Sequence, residues 1–180
     1  RPVPVATLLR AGVGHVPGGR QQPVGGAGGH AACLPVLAQA RNLRPTPSQT
    51  EGPFYPVSLP ADSDADLLKN GNVAYGKGQP AWVEGTVTDL GGAPVSGAVV
   101  EIWQCDHAGH YHHPGDGGRA DPAFQGFGKV TVGRDGRYRF RTLKPVPYSG
   151  RTPHIHVKVR LDRKELLTTQ RVVATRADAT

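Results

Sequence analysis

Trp82-Val83-Glu84-Gly85-Thr86-Val87, then the turn Asp89-Leu90-Gly91-Gly92, then Ala98-Val99-Val100-Glu101-Ile102-Trp103: this stretch decides the fold class. Its two flanks are rich in β-branched and aromatic residues and alternate with the period of a half-buried strand, and the glycine pair between them is a turn signal. The two flanks are expected to pair. Further along, Lys129-Val130-Thr131-Val132 and Tyr138-Arg139-Phe140-Arg141 flank Arg134-Asp135-Gly136-Arg137, whose Asp-Gly step predicts a second hairpin. Ile155-His156-Val157-Lys158-Val159-Arg160-Leu161 alternates again, with the odd positions apolar and the even positions facing elsewhere. A single helical turn, capped by an Asp, is expected in Asp62-Ser63-Asp64-Ala65-Asp66-Leu67-Leu68. Short strands between turn signals give an all-β chain, a β-sandwich of mostly antiparallel strands with long loops. Self-similarity at a period of roughly 20 to 50 residues is missing, which disfavours a solenoid or propeller.

Composition agrees with this reading. The chain has 180 residues, room for one core and an appendage. Its 25 Gly and 17 Pro, against 37% hydrophobic residues, favour turns and short strands over long helices. A formal charge of +7 and a pI near 9.8 would suit nucleic acid, anionic lipid or small anionic substrates. The basic residues are scattered without a Lys/Arg run and without aromatic-basic alternation, so a nucleic-acid partner is not expected. No segment approaches the roughly 18 to 20 apolar residues of a membrane span. The two cysteines, Cys33 and Cys105, are too few for a disulfide framework or a zinc cluster, and Cys105 reads as a small buried hydrophobe.

Residues 1–40 contain no acidic side chain and are rich in Gly, Ala, Pro and Val. A basic start, the apolar Ala31-Ala32-Cys33-Leu34-Pro35-Val36-Leu37 and the small-residue ending Ala38-Gln39-Ala40 fit an export signal with an A-x-A cleavage site, or a disordered low-complexity leader. The expectation is export, to the periplasm or medium, with the cytoplasm as the other location. The absence of Met leads to the expectation of a start further upstream. Residues 41–180 form the sandwich domain.

The local feature richest in chemistry is His154-Ile155-His156 on a predicted strand, since side chains two apart project from one face and two imidazoles can share a metal. Two exposed or hydrogen-bonded sheet histidines are the plainer alternative. Just upstream, Pro147-Tyr148-Ser149-Gly150-Arg151-Thr152-Pro153 is a loop delivering a tyrosine and an arginine. Gln104-Cys105-Asp106-His107-Ala108-Gly109-His110-Tyr111-His112-His113 holds four of the eight histidines. Zinc is a second choice, for want of paired cysteines or an H-E-x-x-H helix. A ferrous facial triad wants a nearby carboxylate, and none follows His156 before Asp162. Phenolate is a hard donor suited to ferric iron, which holds tyrosine deprotonated far below its usual pKa of about 10, so two tyrosines beside two histidines point to Fe(III).

Glu101-Ile102-Trp103-Gln104 leading to Gly109-His110-Tyr111-His112-His113, then Pro147-Tyr148 and Arg151-Thr152-Pro153-His154-Ile155-His156, resembles the signature of the intradiol ring-cleavage dioxygenases. Thr50-Glu51-Gly52-Pro53-Phe54-Tyr55-Pro56 resembles the same family's opening segment. The resemblance covers residues 46 to 170 and implies a non-haem Fe(III) site with Tyr111, Tyr148, His154 and His156 as ligands and hydroxide or water completing it. It implies that Tyr148 leaves when a catecholate chelates and that Tyr111 stays. Arg151 matches an arginine that stabilises anionic character on the bound ring, and Gln170 matches a pocket glutamine. The activity implied is intradiol cleavage of a small aromatic diol by O2, inserting both oxygen atoms to give a cis,cis-muconate-type diacid, with no organic cofactor. His110, His112 and His113 fall outside this ligand set, and Trp103 reads as core.

The polar end Arg171-Val172-Val173-Ala174-Thr175-Arg176-Ala177-Asp178-Ala179-Thr180 departs from the family pattern, so the C-terminus is expected to be truncated and a pocket wall missing. The short spacing from Tyr148 to His154 fits the short, single-chain branch of the family. A reading of another class is a non-catalytic, prealbumin-like extracellular binding module, on the strength of Val87-Thr88-Asp89-Leu90-Gly91-Gly92-Ala93-Pro94-Val95-Ser96-Gly97-Ala98-Val99-Val100. The tyrosine pair discriminates the two. The sequence leaves open which catechol is preferred and whether the chain forms a homo-oligomer.

Overall fold

The computed structural model describes residues 5–12 and 43–172. Over them run strands β1 (Val5–Gly12), β2 (Lys69–Asn70), β3 (Val73–Ala74), β4 (Pro80–Asp89), β5 (Val99–Trp103), β6 (Phe127–Thr131), β7 (Arg137–Leu143), β8 (His154–Leu161) and β9 (Lys164–Val172), with a 3-10 turn at Pro114–Asp116. The predicted all-β sandwich is what forms. One sheet has the order β1-β4-β7, the other β6-β5-β8-β9, every pairing is antiparallel, and β2-β3 make a small separate ribbon. β1 lies within the segment read as a leader. The rest of that segment, with Cys33, and the tail beyond Val172 lie outside the described residues.

Alternation sets which side chains meet. On β4, Val83 and Val87 are buried while Glu84 is exposed, and on β7, Tyr138 and Phe140 are buried between exposed Arg137 and Arg139. They pack in one cluster with Val100 and Ile102 of β5, Ile155, Val157 and Val159 of β8, and Leu167 of β9. Each such side chain contributes about 1.5–3 kcal/mol on leaving water. The second sheet differs from the first in being buried on both faces: Glu101, Trp103, His154, His156 and Lys158, on its outer side, are all 5% exposed or less. Loops cover that side, and the site lies beneath them.

Two expected pairings are corrected. β4 does not pair with β5; β4 lies between β1 and β7, and β5 between β6 and β8. The segment between them crosses from sheet to sheet, with the Val95 N–H donating to the Val87 carbonyl at 3.0 Å. Nor do β6 and β7 form a hairpin. The Asp135-Gly136 turn is present, with Gly136 at φ 67, but it arches over to the other sheet, where its carbonyl accepts the Val87 N–H at 2.9 Å. A β-carbon at Gly136 would lie 2.5 Å from the Val87 carbonyl oxygen, so the close approach requires glycine. The helical turn expected at residues 62–68 is also absent. The Asp62, Asp64 and Asp66 carboxylates accept the backbone N–H groups of Gly71, Asp66 and Leu68, and the Leu67 N–H goes to the Arg141 carbonyl at 2.8 Å. Aspartates satisfied locally in this way favour turns over helix. Cys105 is buried and unpaired, as expected, and burial pushes its thiol up to about 12. No helix among the described residues is long and apolar enough to cross a membrane.

Candidate functional site

On β8 the period of two puts His154 and His156 on the outer face of the second sheet, each 2% exposed. Trp103 is the register partner of His156 on β5, and its indole stacks on that imidazole with centroids 4.7 Å apart and planes 10° from parallel. Trp103 is therefore core, as expected, and also fixes the plane of a site ring. The Nδ1 of His154 lies 2.7 Å from the Thr152 carbonyl oxygen. A carbonyl only accepts, so Nδ1 carries the hydrogen and Nε2 presents a lone pair on the opposite side.

Two loops bring the tyrosines. After β5 the Asp106 Oδ1 accepts the N–H groups of Ala108 and His110 at 2.8 and 3.0 Å, Gly109 turns at φ 87, and the Asp116 Oδ2 accepts the Tyr111 N–H. Before β8, Tyr148 through Arg151 form a tight turn in which the Arg151 N–H donates to the Tyr148 carbonyl at 2.7 Å, with Ser149 and Gly150 at φ 43 and 73. Two consecutive left-handed residues suit a Ser-Gly pair far better than two bulky residues.

The four side chains converge. The Tyr148 hydroxyl is 3.3 Å from His154 Nε2, His154 Nε2 is 3.2 Å from His156 Nε2, and His156 Nε2 is 3.2 Å from the Tyr111 hydroxyl. Burial holds the Tyr111 phenol far above its ordinary range, reinforced by its hydrogen bond with Tyr148. Burial also depresses both imidazoles, His156 to about 3, with His154 and then Arg151 adding to the effect. All three groups are thus neutral near pH 7. Among the described residues no three His, Cys, Asp or Glu side chains cluster, and the side-chain oxygens that meet the two Nε2 atoms are the hydroxyls of Tyr148 and Tyr111.

Arg151 and Gln170 stand together beside this cluster. The exposed Arg151 guanidinium donates to the Gln170 Oε1 at 2.8 Å, and Gln170 is the register partner of His156 on β9. All six residues singled out from the sequence therefore occupy one face. His110, His112 and His113 have other partners: His112 Nε2 is 2.6 Å from the Phe124 carbonyl, His113 accepts the Gly115 N–H, and His110 lies 3.5 Å from the Asp116 carboxylate. Sequence reasoning did not single out Phe54, whose ring stacks on Tyr111 at 4.8 Å and 21°, or Gly52, where a β-carbon would sit 3.4 Å from His156 Cε1. Both lie in the segment 50–56, whose motif was the available signal.

Known proteins resemble this chain in sequence and in fold. The family model described as "Dioxygenase" matches residues 50–175. The hydroxyquinol 1,2-dioxygenase of Rhodococcus opacus is 34% identical over 148 residues, covering 72% of this chain and 46% of that protein. The protocatechuate 3,4-dioxygenase beta chain of Burkholderia cepacia is 40% identical over 117 residues, covering 58% of this chain and 48% of that one. The chain spans about half the length of the curated relatives it matches. Among solved structures, the dioxygenase domain of a dioxygenase carbohydrate-binding protein fusion from Streptomyces sp. SirexAA-E superposes with a TM-score of 0.57 at 34% identity, over 72% of this chain and 75% of that one. An intradiol ring-cleavage dioxygenase from Tetranychus urticae superposes with a TM-score of 0.58 at 27% identity, over 72% and 64%. With the match spanning most of the described domain and carrying all four converging side chains, the chain belongs to the intradiol ring-cleavage dioxygenase family.

Proposed function

We propose that this protein is an Fe(III)-dependent dioxygenase that opens a catechol-type diol between its two hydroxyl-bearing carbons, adding both atoms of O2 to give a cis,cis-muconate-type diacid. The observation that carries the reading is the convergence of two phenols and two imidazoles on one buried point. The donor set fits the metal. Both imidazoles are kept neutral, the His154 Nε2 lone pair faces the cluster, and the buried Tyr111 phenol ionises only if a cation compensates it. Tyr111, Tyr148, His154 and His156 would hold ferric iron. Bound there, it would supply the Lewis acidity that keeps the phenols and the diol deprotonated and draws electron density from the aromatic ring.

The rest follows from the chain's own groups. Tyr148, half-buried on its turn, is freer to move and take up a substrate proton than Tyr111, which is 2% exposed and wedged against Phe54. Arg151 places a fixed positive charge beside the cluster, where anionic character on the bound diol is stabilised, and Gln170 holds that guanidinium by accepting from it. Trp103 fixes the plane of the His156 ring, and the Thr152 carbonyl holds His154 in one tautomer. The relatives' names span catechol, hydroxyquinol and protocatechuate, so the shared substrate class is the aromatic vicinal diol.

The test is a visible spectrum of iron-loaded protein, before and after anaerobic catechol. A broad charge-transfer band that shifts with catechol and disappears in Tyr111→Phe, together with loss of turnover in that variant, is the expected result. A folded, colourless protein would sink the reading and favour a non-catalytic binding module.

A further inference from the structure

We propose that Lys158 is a positioning residue of this site: through Glu51 and Tyr55 it clasps the segment 49–56 in place as the wall that seats Phe54 on Tyr111 and Gly52 on His156. The inference rests on the reading above that the substrate binds at the tyrosine-histidine cluster. Lys158 lies on β8 on the same face as the two histidines and is 2% exposed. A buried ammonium is costly unless paired, and the sandwich core on the opposite face of the sheet makes no use of it. Its partners are specific. It forms ion pairs with Glu51 and, at 3.5 Å, with Glu165, and stands 3.9 Å from the Tyr55 ring centroid and 5.8 Å from that of Trp103. Tyr55 is itself fixed, since its hydroxyl donates to the buried Glu101 carboxylate at 2.9 Å.

Glu51 and Tyr55 are four residues apart, and between them stand the two contacts to the cluster, Gly52 on His156 and Phe54 on Tyr111. Lys158 thus pins both ends of the part that faces the donors. The N-terminal end of the segment is tied separately to β9, where the Gln49 N–H donates to the Thr168 carbonyl at 2.9 Å and the Gln170 Nε2 to the Thr50 carbonyl at 2.9 Å. Gln170 also accepts from Arg151, so the position of the segment bears on the arginine as well. Releasing the clasp leaves all four donors on their own strands and loops. It frees the wall, and so acts on how well substrate is held.

Two measurements test this. In metal-free protein, cleavage by chymotrypsin after Phe54 should rise about tenfold or more in both Lys158→Met and Glu51→Gln, with cleavage after the core residue Phe140 unchanged, because local opening sets the cutting rate. Unchanged cutting at Phe54 in a folded variant overturns the clasp. This arm needs no iron. In iron-loaded Glu51→Gln, the KM for catechol should rise about tenfold, with kcat within about threefold of the parent and the visible band in place. A KM equal to the parent's overturns the positioning role. Glu51 lies at the accessible end of the pair, so its variant carries both measurements should Lys158→Met not fold. A parent protein that never colours or turns over sinks the dioxygenase reading, and the chymotrypsin arm still decides the clasp.

Discussion

The two faces of β8 are equally deep and chemically opposite. Ile155, Val157 and Val159 on one face are 0–1% exposed, and His154, His156 and Lys158 on the other are each 2% exposed. Burial therefore says nothing by itself about what a residue is for. The inner face joins the sandwich core and supplies stability through apolar area. The outer face buries polar groups at a cost that only specific partners offset, and these come both from loops (Tyr111, Tyr148, Thr152, Glu51) and from neighbouring strands (Trp103, Glu165). Stability and chemistry are thus sorted by residue parity along one strand.

The largest expected effect tests the stabilising face alone. Ile102→Ala, on the inner side of β5, should lower unfolding stability by about 2–5 kcal/mol in urea titrations, with the visible band of the folded, iron-loaded fraction unchanged. A shifted band would show that the two faces are coupled. The next tests the cost of the outer face. The pKa of His156 in the folded protein is depressed to about 3, against about 6.5 unfolded, so below pH 6.5 the unfolded chain binds the extra proton. Stability is then fully present above pH 6.5 and is lost as the pH falls toward the folded value. Between pH 6.5 and 5 the metal-free protein should lose about 2 kcal/mol more than a His156→Gln variant does in paired denaturation curves. Equal slopes would mean that the imidazole is not held neutral by burial. The smallest effect lies on the outer face of the other sheet, where Glu84 and Arg139 pair at 3.7 Å with side chains 52% and 58% exposed. Glu84→Ala should change stability by no more than about 0.5 kcal/mol, since Arg139 keeps its seat over Trp82.

The strands were legible because alternation is local: Val83 and Val87, Tyr138 and Phe140, Ile155 and Val157 all point where the period of two puts them. Their partners were not. Alternation states which side chains go inward, and a sandwich satisfies it whether consecutive strands lie side by side or in opposite sheets, so β4 with β5 and β6 with β7 were misassigned. The Asp135-Gly136 turn is real, but its neighbour is the Val87 backbone, nearly fifty residues upstream. In the site, the spacing of His154 and His156 was readable from strand geometry, whereas Tyr111, Tyr148, Arg151 and Gln170 came from family resemblance and then proved to share one face. Phe54 and Lys158 were missed because their contacts join segments far apart in the chain, Phe54 with Tyr111 and Lys158 with Glu51. A lysine in step with two histidines inside an otherwise apolar strand was the trace they left.

The strict parity of β8 also limits how this chain can change over evolutionary time. Substitutions can accumulate on either face independently, but inserting or deleting one residue within the run from His154 to Lys158 would reverse the facing of the residues on one side of the change, setting apolar side chains toward the tyrosines or polar ones into the apolar core. The only irregularity in the β8–β9 register falls between Val159 and Arg160, beyond the last residue that serves the site. Length variation in this hairpin can be absorbed there, at the end away from the histidines, so lineages that lengthen or shorten it should do so on that side of Lys158 and leave the run from His154 ungapped.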